Sequence, residues 1–85
     1  MQGAVLRDLG VYLLPDGQEV VATECVRGEY CLYHAETWER FGLGEYFVDA
    51  EGRVLRGGEP AGWRSADLAD TGHTARRHVL GAGSP

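Results

Sequence analysis

The chain has no lysine, no isoleucine and no asparagine, and among its 85 residues there are only two cysteines, two serines and three prolines. The three missing types have A/T-rich codons. Their absence, beside plentiful Gly, Ala, Arg and Glu, predicts a bacterial protein from a high-GC genome. Two cysteines are too few for a secreted disulfide scaffold. No apolar run approaches the length needed to span a bilayer. The first ten residues lack the basic-then-apolar layout of a secretory signal. A cytoplasmic location with no membrane attachment is therefore expected.

Positive charge is also scarce. Eight arginines face thirteen acids, for a net charge of −5. A nucleic-acid binder normally carries a basic footprint, and the chain as a whole does not. The imbalance is uneven. Residues 1–63 hold five Arg against eleven acids, a balance of −6, while residues 64–85 hold three Arg against two acids, a balance of +1. Any contact with an anion would come from the C-terminal end.

What remains is an ordinary globular composition, 44% hydrophobic and 25% charged. That is too apolar and too weakly charged for disorder. The length suits one domain with a modest core. Residues 1–75 read as a single β-rich domain and residues 76–85 as a C-terminal tail.

Turn chemistry organises the first two thirds. In Glu45–Arg56 an apolar run meets Asp49, then Gly52, then a second short run. Asp favours a type I turn and Gly52 suits the left-handed bulge position that follows. This predicts the pairs Val48 with Val54, Phe47 with Leu55 and Asp49 with Arg53. Leu13–Gln18 carries Pro15-Asp16-Gly17, a second turn signal. It separates expected strands at Val11–Leu14 and Glu19–Cys25. A weaker signal around Gly28 leads to a third strand, Tyr30–Tyr33. Two short helices are expected. One covers Ala35–Phe41 and stops at Gly42. The other covers Ser65–Asp70, with Ser65 as N-cap and Gly72 as stop. The predicted order is β-β-β-α-β-β-α.

The expected strands are apolar on both faces. One face carries Tyr12, Leu14, Val20, Ala22, Tyr30 and Leu32. The other carries Val11, Leu13, Val21, Cys25, Cys31 and Tyr33. A sheet open to water on one side alternates more cleanly, so both faces need covers. The helix bearing Trp38 and Phe41 is one candidate. The helix bearing Leu68, or a second copy of the chain, is the other. The predicted fold is mainly β with two short helices, as a small strongly bent antiparallel sheet or SH3-like barrel, forming a homodimer.

Chemistry-bearing motifs are sparse. Cys25, Cys31 and His34 have loose spacing for a zinc site, and free core thiols are expected. An even-sum register between the flanking strands would place both cysteines on one face, and a two-residue turn would place them on opposite faces. Asp67, Asp70 and His73 would share a face only on an unbroken helix. Glu36 and Glu39 read as a solvated surface. Gly57-Gly58 and Gly42-Leu43-Gly44 lack the helix and lysine of a phosphate loop. No catalytic, cofactor-binding or metal-binding residue is assigned, and no cofactor is expected. Aromatic residues are the stronger signal, because they dominate cores and interface hot spots alike. The candidate interaction residues are Trp63, Arg64, Tyr33, Arg76 and Arg77. Trp63 has a competing role as a plug for the core.

These features favour a non-enzymatic interaction module whose partner is itself or another protein. Nucleic-acid binding through Arg64, His73, Arg76, Arg77 and His78 is the alternative, and a small metal protein or enzyme is a further one.

Overall fold

The computed structural model describes residues 6–38 and 44–76. They form one antiparallel sheet of seven strands: β1 (Gly10–Leu13), β2 (Glu19–Val26), β3 (Glu29–His34), β4 (Gly44–Val48), β5 (Arg53–Arg56), β6 (Glu59–Arg64) and β7 (Ala69–Thr74). The order across the sheet is β6-β5-β4-β3-β2-β1-β7, so the chain meanders outward and then returns to put β7 beside β1.

Turn residues account for the hairpins. The amide of Gly17 donates to the Leu14 carbonyl at 2.8 Å, and the amide of Gly52 donates to the Asp49 carbonyl at 2.9 Å. Both glycines sit at positive φ, 92° and 84°. Each turn is thus a tight reversal whose last residue needs the left-handed region that glycine enters freely. The Asp49 carboxylate reinforces its turn by accepting the amides of Glu51 and Arg53, each at 2.9 Å. The expected pairs Val48 with Val54 and Phe47 with Leu55 are in register. Asp49 and Arg53 close the hairpin, with the Asp49 amide donating to the Arg53 carbonyl.

The expected helices do not form as such. Ala35–Thr37 make a single 3-10 turn. The rest of that expected helix, with Phe41 and its stop at Gly42, lies outside the described residues. Ser65–Asp67 make another single 3-10 turn, and Ala69 and Asp70 belong to β7. Here the capping position falls to Arg64, whose amide donates to the Asp67 carboxylate at 2.9 Å. Gly72 stands inside the strand at a φ of 82° rather than ending a helix. Six residues cannot nucleate a helix on propensity alone. Pairing with β1 supplies hydrogen bonds that an isolated turn cannot.

Among the described residues the barrel does not close either: β6 and β7 are the two edges of an open sheet. The sheet is nevertheless strongly bent. Five Cα steps lead from the last residue of β6 to the first of β7, a reach of at most about 18 Å. The edges of a flat seven-stranded sheet would stand about 29 Å apart. Register shifts interrupt the β1–β7, β2–β3, β3–β4 and β5–β6 ladders. Such irregularities bend and twist strands.

Curling brings side chains from distant strands together. Tyr12, Leu14, Val20, Ala22, Leu32, Tyr46, Val48 and Val54 share a cluster with Leu68, and Trp63 and Tyr30 pack against it. The expected first face is therefore the inside of the curl. Leu68 closes it from a connector, as anticipated, though not from a helix. Tyr12 is fully buried, and its hydroxyl accepts the Arg7 amide at 2.9 Å. A polar group at such depth has to be satisfied. Gly10 makes room for it, since a Cβ there would lie 2.7 Å from the Tyr12 ring.

Two outcomes follow from this arrangement. Leu68→Ala leaves a cavity under the connector and should cost about 2–5 kcal/mol, whereas Leu13→Ala, at a side chain 36% exposed, should change stability far less. Urea denaturation measures both. The second concerns Asp49, whose carboxyl lies below its ordinary value of 3.8, chiefly because the Arg53 amide donates to it, with the Arg53 side chain and the Glu51 amide adding. The turn's charge-dependent stability is then complete above that ordinary value and is lost as pH falls through the lower folded value. Carboxyl NMR titration should place the midpoint low, and Asp49→Asn should weaken the acid dependence of thermal stability.

Candidate interaction surface

The outer face of the curl is where this chain offers a surface. Val11 on β1 and Val21 on β2 form a second, smaller cluster with Trp38, and Leu9, Tyr33, Ala35 and Ala75 pack around it. The 3-10 turn after β3 delivers Trp38 to this place. Its amide donates to the Ala35 carbonyl, and the Thr37 hydroxyl donates to the His34 carbonyl. The Trp38 ring meets Tyr33 edge-on, with centroids 5.4 Å apart. Its Nε1–H donates to the Arg76 carbonyl at 2.6 Å. The indole thus ties the segment after β7 to the segment after β3. It is the cover that the sequence assigned to the Trp38 region.

The cover is incomplete. A cleft of about 540 Å³ runs over Val11, Val21, Ala35, Trp38 and Ala75. Glu19 and Glu36 line it on the β2 side, and His73 and Arg76 line it on the β7 side. An apolar floor therefore separates an acidic rim from a basic one. Leu13, on the same face as Val11 and Val21, stands 36% exposed beyond them.

A second cleft, of about 340 Å³, adjoins Gln18, Glu19, His34, Ala35 and Glu36. His34 Nε2 hydrogen-bonds one oxygen of Glu45, and Arg56 pairs with the other. The β3–β4 register shifts between Leu32 and Tyr33, which inserts Glu45 between paired positions and brings it to His34. This chain of partners can hold an imidazole in one orientation, as catalytic bases require. Neither serine is placed there among the described residues: Ser65 packs at the β4–β5 turn, its amide bonded to the Gly52 carbonyl, and Ser84 lies outside the described residues.

The candidate residues separate into two places. Tyr33 and Arg76 each contact Trp38, Tyr33 through its ring and Arg76 through its carbonyl, and Arg76 also lines the cleft. Trp63 does not join them, because it packs on Tyr46 with centroids 5.1 Å apart, against the inner cluster. It is half-buried there, so its ring contributes packing to the inner cluster. Arg64 aims its guanidinium at the Glu51 carbonyl, 2.9 Å away. Arg77 and His78 lie outside the described residues. The basic cluster imagined for nucleic acid is therefore divided, and its described members at the cleft share it with Glu19 and Glu36.

The other motifs also resolve. Asp67 caps its turn, and Asp70 accepts Arg7 at 2.8 Å while the His73 carbonyl accepts the same guanidinium at 2.7 Å. The Asp70 carboxyl is lowered, first by the Gly72 amide and then by Arg7. Among the described residues no three His, Cys, Asp or Glu converge as metal ligands. Cys25 and Cys31 do share a face, as the even-sum register predicts, but they are surface thiols, one exposed and one half-buried, rather than core residues. Glu36 is exposed at the cleft and Glu39 lies outside the described residues. The sequence named His73 and Arg76 as candidates for an anion contact but missed the strand β7 and the cleft that they line with Glu19 and Glu36. The signal for β7 was weak, because Gly72 and the acids around it resemble a loop.

Fold and surface together define a mainly-β protein with a bent seven-stranded antiparallel sheet and a charge-rimmed apolar cleft on its outer face. No family model, no curated protein and no solved structure matches the chain. No helix among the described residues is long and apolar enough to cross a membrane.

The Trp38 bridge can be tested directly. Trp38→Phe keeps a ring beside Tyr33 but removes the donor to the Arg76 carbonyl. A buried hydrogen bond of this kind contributes about 1 kcal/mol. The variant should remain folded, lose roughly that much plus the indole's extra packing, and show faster amide exchange at Ala75 and Arg76.

Proposed function

We propose that this chain is a non-enzymatic interaction module of the bacterial cytoplasm that pairs with a second copy of itself through the Trp38 cleft. The observation that carries this reading is the order of charges across the cleft. Glu19 and Glu36 stand on one rim and His73 and Arg76 on the other. A two-fold contact is self-complementary, so each patch meets its own copy turned round. Turning this cleft about an axis through its apolar floor sets the acidic rim of one copy against the basic rim of the other. Exposed Leu13 extends the apolar strip that such a contact would bury. Complementary rims also select orientation and steer encounter. They offset the general repulsion between two chains that each carry −5.

The interaction is expected to be modest, micromolar in strength, and weaker in high salt. Each rim pair occurs twice in the dimer and contributes about 0.5–1 kcal/mol. Arg76→Glu or Glu36→Arg alone should therefore weaken self-association roughly 5- to 30-fold. The double reversal should restore most of it. Both positions are exposed, so the fold should tolerate the changes. Sedimentation equilibrium across a concentration and salt series decides the matter. A strict monomer at about 100 μM, well above micromolar dissociation, would remove this reading, as would association unaffected by the reversals.

A further inference from the structure

Two thiols lie toward the turn end of the β2–β3 hairpin, whereas Glu19 and Glu36 of the Trp38 cleft lie at its open end. Thr23 pairs with Cys31 and Glu24 with Tyr30, but the next pair is Val26 with Glu29. Cys25 is the extra residue of a bulge. The bulge turns its side chain toward Cys31 on the neighbouring strand, and the two sulfurs lie 3.1 Å apart. A covalent bond between them needs about 2.05 Å, so closure asks for about 1 Å of side-chain movement. The Arg27-Gly28 turn beside them, with Gly28 at a φ of 81° and exposed, can absorb a small adjustment.

We propose that Cys25 and Cys31 are a reversible dithiol–disulfide pair, oxidised by exchange with a low-molecular-weight disulfide such as oxidised glutathione. Their surroundings divide the roles. Cys25 is exposed, and small disulfides can reach it. Cys31 is half-buried, and burial together with its hydrogen bond to Cys25 pushes its thiol up to about 11. Cys25 is therefore the attacking residue and Cys31 the resolving one. Cys25 loses its proton to water, and its thiolate attacks one sulfur of the small disulfide. That S–S bond breaks, a mixed disulfide forms on Cys25, and the first small thiolate leaves and takes up a proton. Cys31 then gives up its proton and attacks the Cys25 sulfur. The protein disulfide forms and the second small thiol departs. The protein dithiol is oxidised by two electrons, and the small disulfide is reduced to two thiols. Cys31 attacks as a thiolate, its proton passing through water to the departing small thiolate, and contact with the Cys25 sulfur offsets its small thiolate fraction.

The experiment uses the whole chain, reduced, freed of reductant and then treated with oxidised glutathione. Samples are acid-quenched and weighed by mass spectrometry. The expected product has lost both thiols together, carries no glutathione, and returns to the dithiol with dithiothreitol. Cys31→Ser should trap one glutathione on Cys25. It should do so several-fold faster than Cys25→Ser acquires one on Cys31, since Cys25 is exposed and Cys31 is half-buried. Glutathione retained on the wild-type chain, disulfide-linked pairs of chains, or thiols left unreacted while an unstructured cysteine peptide is consumed would each overturn the proposal. The wild-type measurement stands even if a serine variant folds poorly. Its result is independent of whether the chain dimerises through the Trp38 cleft.

Discussion

The connection from Arg64 to Ala69 is too short to join the edges of a flat sheet of this width, and that constraint shapes the molecule. It obliges the seven strands to curl until β6 and β7 approach each other. Curling gives the sheet an inside. Tyr12, Val20, Leu32 and Val54, from four different strands, then meet Leu68 on the connector itself. The same residue that makes the link short also fills the space the link creates. Bulges supply the bend without breaking the run of antiparallel pairs. The cost is two unpaired edges, and each is blunted. β6 carries Pro60, which lacks a donor, and β7 is interrupted by Gly72. Such features discourage uncontrolled edge-to-edge pairing.

An inside implies an outside, and the outer face is only partly covered. Trp38 spans it and bonds the backbone at Arg76, so Val11 and Val21 are already buried within one chain. What stays open is a cleft whose floor is apolar and whose rims differ in sign. Self-association is thus argued from the order of charges, more than from the sheer quantity of exposed apolar surface. The thiols of Cys25 and Cys31 sit on a different part of the β2–β3 hairpin. They respond to redox conditions without involving the cleft.

Much of the strand framework was legible because its signals are local. Pro15-Asp16-Gly17 and Asp49 with Gly52 each specify a turn through backbone sterics and a side-chain acceptor. Their registers follow, and with the registers come the two faces, whereas the weaker turn at Gly28 left the relative side of the cysteines open. The edge strands were not legible. Gly57 and Gly58 both adopt positive φ, at 62° and 86°, which is the requirement of a two-residue hairpin turn. That signal was present, but Pro60 and Gly62 beyond it argue against a strand anywhere except at an edge. Ser65–Asp70 carries a cap-like serine and early acids, and so resembles a helix start. Pairing with β1 outweighed that local preference.

Local chemistry alone determined where the chain turns, which residues pair across the tightest hairpins, and which side chains project together on the first three strands. Turns and alternation depend only on neighbouring residues, so a sequence contains them in full. Tertiary structure decided that the sheet curls, that it stays open, that Trp63 packs half-buried against the inner cluster, and that Tyr33 and Arg76 converge at Trp38. Those outcomes depend on contacts between residues far apart in the chain. Whether a glycine-rich stretch becomes a loop or an edge strand is settled only when a neighbouring strand offers it hydrogen bonds.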